Sequence, residues 1–577
     1  MDLPKLVVSP GVVKLAYEYE LERFRDTDTL KRFWSKDTSL WQGGGPRSSV
    51  SARKLDWLDP PEGLEGYARR AARAADGVGD EFDDVVFIAL ESSNLAAEIV
   101  PSLGLFAYGK RFLILDSVHP ADIRRIEEIT DLPRTLFLLA SKTGKRIETH
   151  GLFLHFLERL RALGSPYPGR NFIAVTEEDS YLRDLAGEYH FRNIFVDPAG
   201  YPGRFSGVIH FTLLLSSLNK SEPDALLAKV RAMRSVCEAE GALREHPALS
   251  LAALLSAGAE NGHERLMILT HKALRAIAYR LEQLAGTSTC SGGRGIVPIT
   301  AGPGIISAIR GKFMAAVIRF AGVSDPELAQ AQDYLEREGI PAAFVDLGGV
   351  VDFGAEVYRW EIATCLACSA LEVNPFEAPD MEAGRALAME YLGRQTSGQK
   401  SAVTPVRLQQ DGIELYAEGG TRHEISQLSM KDALRSLFSI LDGNGYLAIL
   451  SFLPNLGEVA VSLRKLCEQM EANLRVPVVL NHGPRYLHVS GQCYKAGPAK
   501  GIFLMLTAEF EKDIPVPGAE YTFGDLVKTL ALSDFDSLTL RNRIVVRLHL
   551  RKGAIAGVEA LRDLVDQALI GIRRSGE

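Results

Sequence analysis

The chain has 577 residues, 46% of them hydrophobic, 6 cysteines and a formal net charge of -8. That length is enough for a large core divided among about two to four domains, and an acidic balance without a long basic run excludes a general nucleic-acid binder. No apolar run reaches the roughly 18 residues of a membrane span, and Met1-Asp2-Leu3-Pro4-Lys5 lacks the basic start and apolar block of a secretory leader, so a reduced, cytoplasmic setting away from membranes is expected.

Residues 1–80 read as a helical N-terminal region. Residues 12–19 place Val13, Ala16 and Tyr17 on one face of a helix. Trp34 and Trp41 follow, as caps on a core edge or as contact residues, and Gly43-Gly44-Gly45-Pro46 marks a loop. From 81 to 220, apolar runs at 85–90, 112–115, 135–140, 172–175 and 194–196 alternate with helical segments. This rhythm predicts βαβ units and a parallel sheet with its ligand edge at the carboxyl ends of the strands. The run 135–140 leads into Ser141-Lys142-Thr143-Gly144 and then into a helix start near Glu148. First-turn N–H groups lack intrahelical partners and sit at the positive end of the helix dipole, so such a turn can hold an anion. Ser141 and Thr143 add hydroxyls, and Lys145 and Arg146 add charges. The bland alternative is an ordinary α/β turn.

A second alternation spans 221–395, with strands at 265–269, 296–297, 314–320 and 342–346, a helix at 271–284 and a long apolar helix from 357 that ends before Asn374. Cys365 and Cys368 stand three apart in a helical segment without a second pair nearby, which favours core packing over zinc; no metal or organic cofactor is expected. Residues 395–405 are polar and read as a linker. The region 396–577 mixes strands at 446–452, 476–480, 502–506 and 544–550 with helices at 458–473 and 558–568. Its most site-like stretch, 482–498, is dense in Gly, His, Gln and Lys. The expected fold is α/β: two doubly wound parallel-sheet units followed by a mixed α/β C-terminal region.

Several of these stretches together resemble the phosphoglucose isomerase family, whose fold pairs two sugar-isomerase (SIS) domains. Residues 141–149, SKTGKRIET, resemble its serine-lysine-threonine phosphate loop. Gly203-Arg204-Phe205-Ser206 resembles its Gly-Gly-Arg-Tyr/Phe-Ser motif, and residues 374–382 its Asn-x-Phe-Asp-Gln-x-x-Val-Glu motif. The resemblance is closer to the isomerase half of transaldolase–phosphoglucose isomerase fusions. Residues 34–41, 295–298, 354–361, 483–488 and 521–524 match its landmarks in order; no barrel-length segment precedes residue 30, so only that half is expected. The resemblance implies SIS-type domains at 81–220 and 221–395, a phosphorylated-sugar ligand, aldose–ketose isomerisation of glucose 6-phosphate and fructose 6-phosphate, and a homodimer. It implies phosphate binding by Ser141, Thr143, Lys145 and Arg146 and a catalytic role for Arg204, with His488 and Lys495 either acid/base groups or ordinary surface residues and Gln492 beside them.

The sequence departs from the family at four places. Its Gly-x-Gly-Gly-Ser turn falls on Ala89-Leu90-Glu91-Ser92-Ser93, where side chains, one of them anionic, would obstruct a phosphate. Two loop threonines become Lys145 and Arg146, either as compensation for Glu91 or as solvated helix charges. The catalytic glutamate falls, without a gap, on Thr287, and the lysine four residues on falls on Ser291; a threonine hydroxyl is no base near neutral pH. Finally, Asp-Gln becomes Glu377-Ala378, and a lysine becomes Arg385. Glu356 or Glu361 is then either a substitute base or a helix carboxylate paired with Arg359 or a neighbour. Two functions follow: a sugar-phosphate isomerase with a relocated base, or a catalytically silent relative that senses a sugar phosphate or serves as an interaction scaffold.

Overall fold

The computed structural model describes residues 2–41, 52–59, 66, 69–70, 72–73, 81–90, 98–99, 101–102, 110–197, 203–205, 215, 223–398, 405–425 and 428–573. They fall into two compact units, one made of 1–115, 130–307 and 313–377, the other of 116–129, 308–312 and 378–577.

The first unit is built on two five-stranded sheets. Its N-terminal strand β1 (Lys5–Ser9) lies in the region expected to be helical. The first sheet contains β2 (Asp84–Ile88), β3 (Arg111–Leu115), β4 (Thr135–Ala140), β5 (Phe172–Glu177) and β6 (Asn193–Asp197), in the order β3-β2-β4-β5-β6, all parallel. Every residue of β2 and β4 is buried, which is why they read as unbroken apolar runs rather than alternating ones. The second sheet contains β7 (Arg265–Thr270), β8 (Val297–Ala301), β9 (Met314–Phe320) and β10 (Ala342–Leu347). Its order is β1-β10-β9-β7-β8, with β1 antiparallel on the edge.

The long helix expected from 357 to before Asn374 runs from Asp352 to Ala370, starting five residues earlier, and is buried almost all round, packed by the helices Pro223–Glu238, Pro247–Glu260 and Arg275–Thr289. Cys365 and Cys368 lie in it fully buried, as core residues. Trp41, 1% exposed, donates its indole N–H to the Cys365 carbonyl at 2.9 Å, and Trp34 donates to Cys237 O at 3.0 Å. Both tryptophans therefore close the core edge.

The second unit has one six-stranded sheet containing β11 (Leu408–Gln410), β12 (Ile413–Tyr416), β13 (Tyr446–Ser451), β14 (Val478–His482), β15 (Gly501–Ala508) and β16 (Ile544–Leu550). The order is β11-β12-β16-β15-β13-β14; β13 to β16 are mutually parallel and the β11–β12 hairpin is antiparallel. Alternate residues such as Leu447, Ile449, Leu504 and Leu506 face the core formed with helices Gly457–Leu474 and Ala554–Arg573. Their neighbours Ala448, Leu450, Phe503 and Met505 are equally buried on the other face, where Phe523–Leu540 packs with Pro379–Thr396. The latter helix runs through Thr396, so the first residues of the expected linker are helical. Among the described residues no helix is long and apolar enough to cross a membrane.

Candidate functional site

The turn after β4 is held by its own backbone and hydroxyls. Ser141 N donates to Val175 O at 3.1 Å and Tyr181 N to Thr143 O at 3.1 Å. Gly144 N donates to Ser141 Oγ at 3.2 Å, and Lys145 N to Thr143 Oγ1 at 3.3 Å. Gly144 has φ +67° and a Cβ there would sit 2.3 Å from Leu182 N, so only glycine fits. The helix Ile147–Ala162 then begins with no side-chain cap on its first N–H groups. Ser141 is buried, Thr143 and Lys145 are exposed, and Arg146 is half-buried. Lys142 pairs with Glu177 at the end of β5, 3.2 Å away.

Arg204 lies in the same unit, half-buried, with Nε and Nη2 donating to Pro375 O at 3.2 and 3.0 Å and Nη2 also to Glu377 O at 3.1 Å. The residues at the Asn-x-Phe-like stretch therefore hold the arginine through main-chain carbonyls. Behind it stands Arg280, which sequence reasoning did not single out. It is fully buried and donates to the Arg204 carbonyl, to Gln283 Oε1 at 2.9 Å and to Glu361 Oε1 at 2.9 Å. Burial pushes the Arg280 guanidinium down, and Glu361, itself fully buried, opposes that. Arg280, Gln283 and Thr287 recur at i, i+3 and i+7 on the helix Arg275–Thr289 and so share a face. Thr287 is 2% exposed there.

Glu356 points elsewhere. It is fully buried; Oε2 is bonded by Arg359 and Oε1 accepts Trp360 Nε1–H at 2.8 Å, while Arg359 also donates to Pro4 O at 3.2 Å. Burial pushes its carboxyl up, and Arg359 and Trp360 pull it back. Both oxygens of Glu356 are therefore bonded within its own helix.

In the second unit Lys495, 4% exposed, is ion-paired with Asp534 at 2.5 Å, and Tyr486 OH donates to the other Asp534 oxygen. Gln492 accepts from Asp380 N at 3.2 Å and Met381 N at 3.3 Å, capping the start of the helix Pro379–Thr396. His488 is half-buried at the end of a single 3-10 turn, Arg485–His488. The geometry thus gathers Ser141, Thr143, Lys145 and Arg146 into one loop, and Arg204, Glu361 and the Thr287 helix into one cluster of the first unit, while His488, Gln492 and Lys495 form part of the second. Glu91, Ser92, Ser93, Ser206 and the loop glycines Gly43-Gly44-Gly45 with Pro46 lie outside the described residues. Asp197 is a further missed group: at the end of β6, opposite Glu177 in the ladder, it is buried with Oδ1 unbonded among the described residues, and burial pushes its carboxyl up to about 7. Its place at a strand's carboxyl end was the available signal.

No protein-family model matches the chain. It is 26% identical over 355 residues to a protein named "Probable glucose-6-phosphate isomerase" from Haloquadratum walsbyi, a match covering 55% of this chain and 81% of that protein. It is 24% identical over 332 residues to the glucose-6-phosphate isomerase of Rubrobacter xylanophilus, covering 50% and 75%. Among solved structures, a hypothetical protein from Thermus thermophilus superposes with a TM-score of 0.58 at 21% identity, over 67% of this chain and 100% of that one. A glucose-6-phosphate isomerase from Chlamydia trachomatis superposes with a TM-score of 0.54 at 15% identity, over 66% and 86%. The chain shares its fold with these two structures, and by sequence it is distantly similar to proteins named glucose-6-phosphate isomerase.

Proposed function

We propose that this protein is a glucose-6-phosphate isomerase-like binder of a hexose phosphate, whose proton transfer is slowed by about 10²–10⁴ relative to relatives that keep the family's carboxylate. The phosphate is held by Ser141, Thr143, Lys145, Arg146 and the uncapped start of the following helix, and Arg204 faces the sugar. The observation that carries the reading is the pairing of an anion-ready loop with a helix face on which Thr287 stands where the resemblance puts the base. The neighbouring acid, Glu361, is already engaged by Arg280. The likeness to the fusion-type isomerase half, the four-region division, a homodimer and a cytoplasmic location belong to the same reading and rest on the motif order and composition.

A second reading has one observation in its favour: Arg280 ties Glu361 to the main chain of Arg204, which keeps a carboxylate beside the arginine expected to steady an enediolate. Under it, Glu361 replaces the lost glutamate and isomerisation proceeds at an ordinary rate. The two separate in one experiment on the purified chain. A calorimetric titration with fructose 6-phosphate and glucose 6-phosphate reports binding, and proton exchange at C2 reports chemistry. Binding with exchange near background supports the first reading, and fast exchange abolished by Glu361→Gln supports the second. The absence of binding removes both.

A further inference from the structure

The second unit has the topology of a ligand-binding sheet in its own right. From β13 the chain crosses by the helix Gly457–Leu474 to β14 on one side, then returns to β15 on the other side of β13 and continues to β16. Strand order therefore reverses between β13 and β15. In an open parallel sheet, the crevice outside the carboxyl ends of the strands at such a reversal is where ligands bind. A cavity of about 460 Å³ opens there, within the range of small-molecule sites. Phe452 follows β13, Thr507 and Phe510 close β15, and Arg547 and His549 come from the end of β16. None of the residues assigned to sugar-phosphate binding lines it.

The lining has an apolar body and a charged end. Phe452, Phe510, Val527 and Leu532 supply the apolar wall. Arg547 supplies the charge: it is half-buried, its guanidinium lies 3.8 Å from the Tyr416 ring centroid, and Nη1 donates a long hydrogen bond to Thr507 Oγ1 at 3.4 Å. Among the described residues no carboxylate makes a salt bridge with it, and its Nε is unbonded. A partly buried arginine without an ion pair is uncommon and calls for an anion. The acids nearby make their hydrogen bonds elsewhere: Glu509 bonds His549 at 3.2 Å and Arg551 at 3.0 Å, Asp536 accepts the Tyr391 hydroxyl and Glu414 the Tyr416 hydroxyl at 2.7 Å, while Asp536 and Glu414 still act on Arg547 through space. The rest of the lining carries Glu418, Glu509 and Asp536 against Arg394 and Lys528, so beyond Arg547 it offers no net positive charge to a ligand carrying two or more negative charges.

We propose that this cavity is a second ligand site, for a small organic monocarboxylate with an apolar or aromatic body, its carboxylate on Arg547 and its body against Phe452, Phe510 and Leu532. The site is independent of the sugar-phosphate reading and stands if that reading fails. The test is calorimetric titration of the full chain with 3-phenylpropionate. Saturable binding is expected, weakened at least about tenfold when the carboxylate is replaced by the neutral amide, as fits loss of a charge-assisted hydrogen bond. Arg547→Leu should abolish it, but that residue also packs on Tyr416. Leu532→Trp is the second variant: it fills the cavity from a half-buried wall, keeps Arg547, and should cost at least about tenfold in affinity. Fructose 6-phosphate should not compete. The proposal is overturned by any one of these results: no saturable binding, equal affinity for acid and amide, indifference to Leu532→Trp, tighter binding of inorganic phosphate, or competition by fructose 6-phosphate.

Discussion

Two charged regions of the first unit behave in opposite ways. The loop after β4 turns Thr143 and Lys145 to solvent and leaves the next helix start without a side-chain cap. The helices Arg275–Thr289 and Asp352–Ala370 instead bury Arg280, Glu361, Arg359 and Glu356 and pair them with one another, Arg280 with Glu361 and Arg359 with Glu356. The loop is organised to meet something from outside, whereas the helix pair is organised to satisfy itself. A protein can keep the surface that binds an anion while the residues that would move a proton become part of the packing. The second unit repeats the lesson, because Lys495 is locked onto Asp534 while Arg547 lines a cavity and makes no salt bridge to a carboxylate among the described residues.

The largest effect that would sharpen this contrast comes from restoring the missing acid. Thr287→Glu should raise proton exchange at C2 of fructose 6-phosphate by about 10²–10⁴; unchanged exchange with binding intact breaks the assignment of that position. Next is the buried pair. Arg280→Leu or Glu361→Leu alone should cost about 3–5 kcal/mol in urea unfolding, because each strands a buried charge, while the double replacement should cost far less. If the single variants are neutral, the helix pair is not self-satisfied and the comparison fails. Gly144→Ala tests the loop itself. With a positive φ and a Cβ 2.3 Å from Leu182 N, it should destabilise by about 1–3 kcal/mol and weaken hexose-phosphate binding.

Asp197 adds a pH signature. Its native carboxyl holds a proton up to about pH 7, whereas the unfolded chain releases it near about 3.9. Between those values the native state binds more protons, so stability should fall as pH rises from about 4 to about 7 and level off above. Asp197→Asn should flatten that slope by on the order of 1 kcal/mol, measured as unfolding midpoints across the window. The smallest effect is Lys145→Ala, which should lower phosphate affinity about twofold to fivefold, more at low salt than at high salt, because the side chain is exposed and screened.

The buried strands were legible because burial on both faces writes a continuous apolar run. The runs at 135–140, 314–320 and 544–550 coincide with Thr135–Ala140, Met314–Phe320 and Ile544–Leu550. Short partly exposed edges were not legible. Lys5–Ser9 carries no clear period, and its pairing with β10 joins residues over 300 positions apart in the chain. The β11–β12 hairpin did leave a local sign, Asp411-Gly412 with both residues at positive φ, as a tight turn demands. The loop of the candidate site was readable for the same reason: its bonds run among neighbours in sequence or onto the adjacent strand end.

What the amino-acid order determined by itself is therefore local: which segments are apolar on both faces, where glycine must stand, and where a strand gives way to an uncapped helix start. Only the folded chain decided which charges are spent. Glu356 and Glu361 look equivalent on paper, five residues apart on one helix, yet about 140° separates them around its axis, so one meets Arg359 and Trp360 and the other meets Arg280. The partners of Glu356 stand three and four residues on in its own helix and were open to the sequence, whereas the partner of Glu361 comes from another helix 81 positions away, and no pattern within a single segment carries that information.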